Sequence, residues 1–149
     1  MTQSRWGLTP RQSIEAECAR RGRPAVVAGC VALVGGGDAD PALVRALGGP
    51  GAEVFLDGSA RDDTYWLRVW GARGLLWAMD ESADGAAARA VRRALGDEHW
   101  RVREMALKVV ARHEIGDAMP AVVELREDPV PRVRTAAVRT VTVLTAAGA

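Results

Sequence analysis

The chain holds one phenylalanine, one tyrosine and one lysine, with two cysteines and two histidines. Each scarcity excludes something. Cys18 and Cys30 cannot make a disulfide framework. Neither His99 nor His113 has a partner at metal-ligand spacing, so no metal site is expected and buried free thiols are the simpler reading. β-formers are few, and the one short stretch with a strand-like look is Ala-Glu-Val-Phe-Leu at 52–56. No apolar run reaches the roughly 18 residues of a membrane span. The segment MTQSRWGLTPRQ lacks the apolar core of a secretion signal, which makes the cytoplasm the expected location. The formal net charge is only +1, with 20 basic against 19 acidic residues. A global attraction to nucleic acid or membrane is therefore not indicated, and any basic footprint must be local. Nucleophile-elbow, phosphate-loop and zinc-protease signatures are absent. Gly35-Gly36-Gly37 follows a helical stretch rather than a strand and reads as a linker. No cofactor is expected.

What is present is a globular composition, 48% hydrophobic and 26% charged, long enough for a real core. Nineteen of the 20 basic residues are arginine. Arginine suits fixed ion pairs, although codon bias yields the same count. Breakers recur regularly. Thr9-Pro10 opens a helical stretch to about Arg21, with Thr9 as N-cap. Arg23-Pro24 starts a second, apolar stretch that ends at the three glycines. Asp40-Pro41 opens a short one closed by Gly48-Gly49. Residues 50–61 are the least regular. Further helices are predicted at about 63–79, 84–95, 98–113, 117–126 and 130–146, punctuated by Gly96, Gly116 and Pro129 to Pro131.

The chain also repeats itself. Residues 97–113 and 128–144 align, with Asp97 on Asp128, Val102 on Val133, Arg103 on Arg134, Ala106 on Ala137 and Lys108 on Arg139. Residues from Asp62 onward align with the first copy, Arg68 on Arg103 and Gly71 on Ala106. The pattern D-x(4)-V-R-x-x-A on the second helix of a pair resembles the HEAT repeat, in particular its short HEAT-like class. The likeness is strong over 84–146, fair over 40–79 and weak over 9–35. It implies an all-α, right-handed α-solenoid of about four helical hairpins. The whole chain reads as one domain, with 1–61 as atypical capping helices and 62–149 as regular repeats. It also implies that Asp97 and Asp128 cap second helices, while Arg103 and Arg134 tie repeats into a ladder, with Asp62 and Arg68 as a further pair. Independently, Val102, Ala106, Val109, Val110 and His113 share one face, which must pack inward. One hairpin cannot bury that face alone, so the pairs must stack.

A second stripe runs beside the core face. At about 100° per residue, Arg101, Met105, Lys108 and Arg112 cluster together. Arg132, Ala136, Arg139 and Val143 are the matching set in the last repeat, and Trp66, Trp70, Arg73 and Trp77 in the earlier one. Stacked, they predict a concave face that is basic at one end and tryptophan-rich in the middle. Two readings compete. The stripe is a groove for a protein or peptide, preferentially an acidic one, or its tryptophans are core beneath the N-terminal 60 residues and its cations a solvated face. Trp100 reads as a spacer between repeats, and Trp6 as a docking residue or a lid. In composition and fold the stripe also resembles HEAT-like alkylpurine DNA glycosylases, which implies nucleic-acid binding and a groove carboxylate. Asp80 and Glu104 are the nearest acids. The sequence does not set the oligomeric state, but the last helix offers an apolar face to a second copy.

Overall fold

A computed structural model describes residues 7–79 and 85–148. Trp6 and Asp80 lie outside these residues. Every regular element among them is helical: α1 (Pro10–Arg21), α2 (Arg23–Val34), α3 (Pro41–Gly48), α4 (Tyr65–Ala78), α5 (Ala86–Ala94), α6 (Trp100–His113), α7 (Met119–Glu124) and α8 (Pro131–Ala147). The chain is an all-α solenoid.

Local chemistry sets the boundaries. Thr9 Oγ1 accepts from the Gln12 backbone amide and the Thr9 backbone amide donates to Gln12 Oε1, a reciprocal cap with Pro10 in the first turn. Asp40 caps α3 through the Ala42 amide. The strand-like stretch at 52–56 instead lies largely in a tight 3-10 coil, Gly49–Phe55. Seven residues with Gly-Pro-Gly at the front cannot hold an isolated strand without a partner.

α4, α6 and α8 lie side by side and run parallel. Tyr65 at the start of α4 stacks on His99 at the start of α6. At the far ends, His113 donates its Nε2 proton to the carbonyls of Leu75 and Leu76. Thr140 on α8 donates to the Leu107 carbonyl of α6. α5 packs on α6 and α7 on α8, as the hairpin order demands.

The N-terminal third departs from that order. α2 packs tightly against α4 and runs antiparallel to it: Arg23 at its start donates to the Ala78 carbonyl, while Cys30 meets Gly74 and Val34 meets Gly71. The backbones approach closely because Gly71 and Gly74 carry no Cβ. One added at Gly71 would stand 2.9 Å from the Cys30 carbonyl oxygen. α2 thus takes the outer-helix place beside α4 and also contacts α5. α1 and α3 pack on each other and on α4, where Ser13 donates to the Ala46 carbonyl. Three pairs therefore stack, α2 with α4, α5 with α6 and α7 with α8, and α1 with α3 forms a fourth, atypical pair that caps and covers them.

Arginine–aspartate pairs join the repeats. Arg68 donates through Nε (2.8 Å) and Nη2 (3.1 Å) to Asp97. Arg103 repeats the geometry on Asp128, at 2.8 and 3.1 Å. The aspartates are not the N-caps, which are His99 and Val130. Each stands two residues earlier and accepts the cap residue's own amide, His99 on Asp97 and Val130 on Asp128. One carboxylate thereby fixes the turn ahead of its helix and the arginine of the preceding repeat. Two parallel charge-assisted bonds also set the rotation of one repeat on the next.

Candidate functional site

The side of α4, α6 and α8 turned away from α5 and α7 carries the predicted stripe. Its residues have three different fates.

At α4, the cover takes them. Trp70 is buried. Its ring lies edge-on to Phe55 at 5.2 Å between centroids and fills the space beside Gly48, where a Cβ would meet it at 2.6 Å. Arg73 turns inward, and its Nη2 donates to the Leu47 carbonyl at 2.5 Å, near the end of α3. Burial lowers the pKa of this guanidinium below its ordinary value. Trp70 and Arg73 correct the expected contact set, because α3 and the coil behind it occupy the space a ligand would need. Trp77 is half-buried between two guanidiniums, Arg11 at 5.0 Å and Arg112 at 4.6 Å from its ring centroid.

At the N-terminal ends of α4, α6 and α8, cations and rings alternate. Arg101 lies over Trp66 at 5.1 Å and over Trp100 at 4.4 Å. Arg132 lies over the same Trp100 at 5.4 Å. Trp100 therefore sits between the arginines of two repeats. Such contacts contribute about 0.5–2 kcal/mol each; Arg101 is half-buried against its two rings, whereas the Arg132 side chain stays 66% exposed. Arg132 also grips Glu104 with two bonds, 2.9 and 3.2 Å. Glu104 is thus engaged by an arginine of the next repeat. His99 accepts the Arg101 amide on Nδ1, which needs the unprotonated ring nitrogen. Desolvation, followed by the charge of Arg101, holds its pKa below the usual histidine value.

Between α6 and α8 the third group stays open. A groove of about 460 Å³ runs there, with Ala111, Ala136 and Thr140 in its lining. Lys108 stands on the α6 wall and Arg139 on the α8 wall, both exposed. Neither makes an ion pair among the described residues. The small side chains at 111, 136 and 140 leave the space between the helices. The Glu104–Arg132 pair lines the same groove, on the side of the helix starts. Arg112, one turn beyond Lys108, is exposed but lies over Trp77 and outside the groove lining.

Sequence spacing brought Lys108, Arg112 and Arg139 to one face. It missed the Tyr65–His99 stack, 3.5 Å between centroids, while the reading that places tryptophans beneath the N-terminal 60 residues holds for Trp70 under α3. The glycines at 48, 71 and 74 were the available signal for close approach. Among the described residues, no group of three His, Cys, Asp or Glu is placed to hold a metal ion. None of the described helices is long and apolar enough to cross a membrane.

A family model for HEAT repeats matches residues 52–142. Comparison with curated proteins and with solved structures returns no match.

Proposed function

The chain belongs to the HEAT-repeat family, and from that membership we propose that it is a binding scaffold whose groove between α6 and α8 receives an acidic segment of a partner protein. HEAT repeats are commonly protein-interaction scaffolds. The observation that carries the finer reading is the contrast along the stripe. Trp66, Trp70, Arg73, Trp77, Arg101 and Arg132 are engaged within the fold, whereas Lys108 and Arg139 face one groove with no acid paired to them.

Two uncompensated cations across a narrow groove favour carboxylates spaced along an extended chain. The small, partly apolar floor gives little room for bulky side chains, so recognition rests on charge and backbone shape. Base stacking gains no support from these side chains. Trp70 is buried, and Trp66 and Trp77 lie against guanidiniums. Glu104 is tied to Arg132 rather than free to act on a substrate.

The test is fluorescence anisotropy with a labelled Asp/Glu-rich peptide at low and moderate salt. Binding is expected to weaken with salt and to fall at least tenfold in Lys108→Glu/Arg139→Glu, with unchanged thermal melting. Equal affinity for the double variant would sink the assignment.

A further inference from the structure

The groove between α6 and α8 is not uniform along its length. At the end near the helix starts its wall charges cancel, because Arg132 donates to Glu104 through Nε (2.9 Å) and Nη2 (3.2 Å). About one to two turns further on, Lys108 and Arg139 stand with no acid paired to them among the described residues. Glu104 is the one acid in the lining of this groove.

Internal symmetry separates what Glu104 does from what the fold needs. Arg101 and Arg132 hold the same position in consecutive repeats, and Val69, Glu104 and Thr135 hold another. The acid is therefore present at one level of the stack alone. Where α4 offers Val69 instead, Arg101 is held without an ion pair among the described residues. It lies over Trp66 and Trp100, and its Nε is buried with no acceptor. Arg132 likewise has a ring beside it, Trp100 at 5.4 Å. A cation at this position is thus kept in place by rings, and a carboxylate is not required to hold it. The Glu104 side chain is 14% exposed and that of Arg132 is 66% exposed. The acid is sunk in the groove wall, and the guanidinium that neutralises it stands in solvent.

We propose that Glu104 sets the charge pattern that the groove accepts: by engaging Arg132 it cancels the cation near the helix starts, so the groove selects a segment whose acids are clustered over Lys108 and Arg139 and whose adjoining residues are uncharged. The inference rests on the acidic-segment reading of this groove and deepens it. A ligand carboxylate beside the Glu104–Arg132 pair meets no net charge, and it loses hydration there without gaining an ion pair. An uncharged residue at the same place carries no such cost, so the pair discriminates by what it withholds.

Fluorescence anisotropy on the full chain tests this with two labelled peptides of equal length, one acidic throughout and one acidic in one half and uncharged in the other. Glu104→Gln removes the charge that occupies Arg132 and keeps the shape of the side chain. It is expected to tighten binding of the fully acidic peptide by roughly two- to fivefold and to change the half-acidic one much less. Arg132→Gln leaves Glu104 bare and should weaken the fully acidic peptide by a similar factor. Glu104→Gln/Arg132→Gln, again without net charge, should return to the parent affinity. A gain equal for both peptides, or one that survives in the double variant, overturns the proposal. A pair that serves structure alone would lower the melting midpoint of both single variants and leave both affinities unchanged, which also overturns it. Parent binding that Lys108→Glu/Arg139→Glu abolishes and Glu104→Gln does not alter overturns this inference and leaves the groove reading standing. Absence of binding to both the parent and Glu104→Gln overturns the two together.

Discussion

Arg103 holds Asp128 through two parallel bonds, Nε to Oδ2 at 2.8 Å and Nη2 to Oδ1 at 3.1 Å, across the boundary between consecutive repeats. Both side chains are largely buried, at 14% and 4% exposure. Removing one partner leaves the other desolvated without its bond. Arg103→Ala is expected to cost about 1–3 kcal/mol in urea unfolding. Asp128→Asn should cost a comparable amount, and the double variant less than the sum. Arg134→Ala, lacking a carboxylate partner, should cost less than about 1 kcal/mol. Equal losses at 103 and 134 would contradict the ladder.

The same pair predicts an acid limb. Burial pushes the Asp128 carboxyl up, but the Arg103 fork, the Val130 amide and the charges of Arg103 and Arg134 outweigh it, so the net shift is downward. A depressed native value means that the unfolded chain binds the proton more readily. The stabilisation is full above the unfolded value of about 4 and is lost as pH falls through the lower native one. Urea midpoints measured from pH 6 down to about pH 2 should therefore fall more steeply for the parent than for Asp128→Asn. Parallel curves would remove Asp128 from the account.

Close approach of α2 to α4 makes a third prediction. A Cβ on Gly71 meets a backbone oxygen, which has no flexible tip to yield. Gly71→Ala is expected to destabilise by about 1–3 kcal/mol in a thermal melt. Gly51→Ala, with nothing within 4 Å of the added carbon, should change stability little and serves as the control. Matching melts would mean that α2 does not rest on α4 as described.

Much of the repeat was legible because its chemistry is periodic. Asp97 and Asp128 stand 31 residues apart, as do Arg103 and Arg134. Stacking converts that spacing into contact between each arginine and the following aspartate. The N-terminal third was not legible in this way. Its packing depends on non-local fits, Cys30 against Gly74 and Gly48 against Trp70, with no counterpart in the later repeats. For the same reason spacing alone could not separate Trp70 from Trp66 and Trp77. All three lie on one side of α4, but only Trp70 sits beneath α3 and the coil that follows it. Arg73 shares the stripe with Lys108 by alignment, yet it turns to a carbonyl that only the folded cover supplies. Lys108 and Arg139 were legible because no cover reaches α6 and α8 there.

The central claim concerns place: an acidic segment lies between α6 and α8. Amide hydrogen exchange of the full chain, with and without a saturating Asp/Glu-rich peptide, locates it directly. The account predicts added protection confined to residues 104–112 and 131–140, absent in Lys108→Glu/Arg139→Glu. Protection centred on α1 and α3, or none at peptide concentrations that saturate the anisotropy signal, would contradict it.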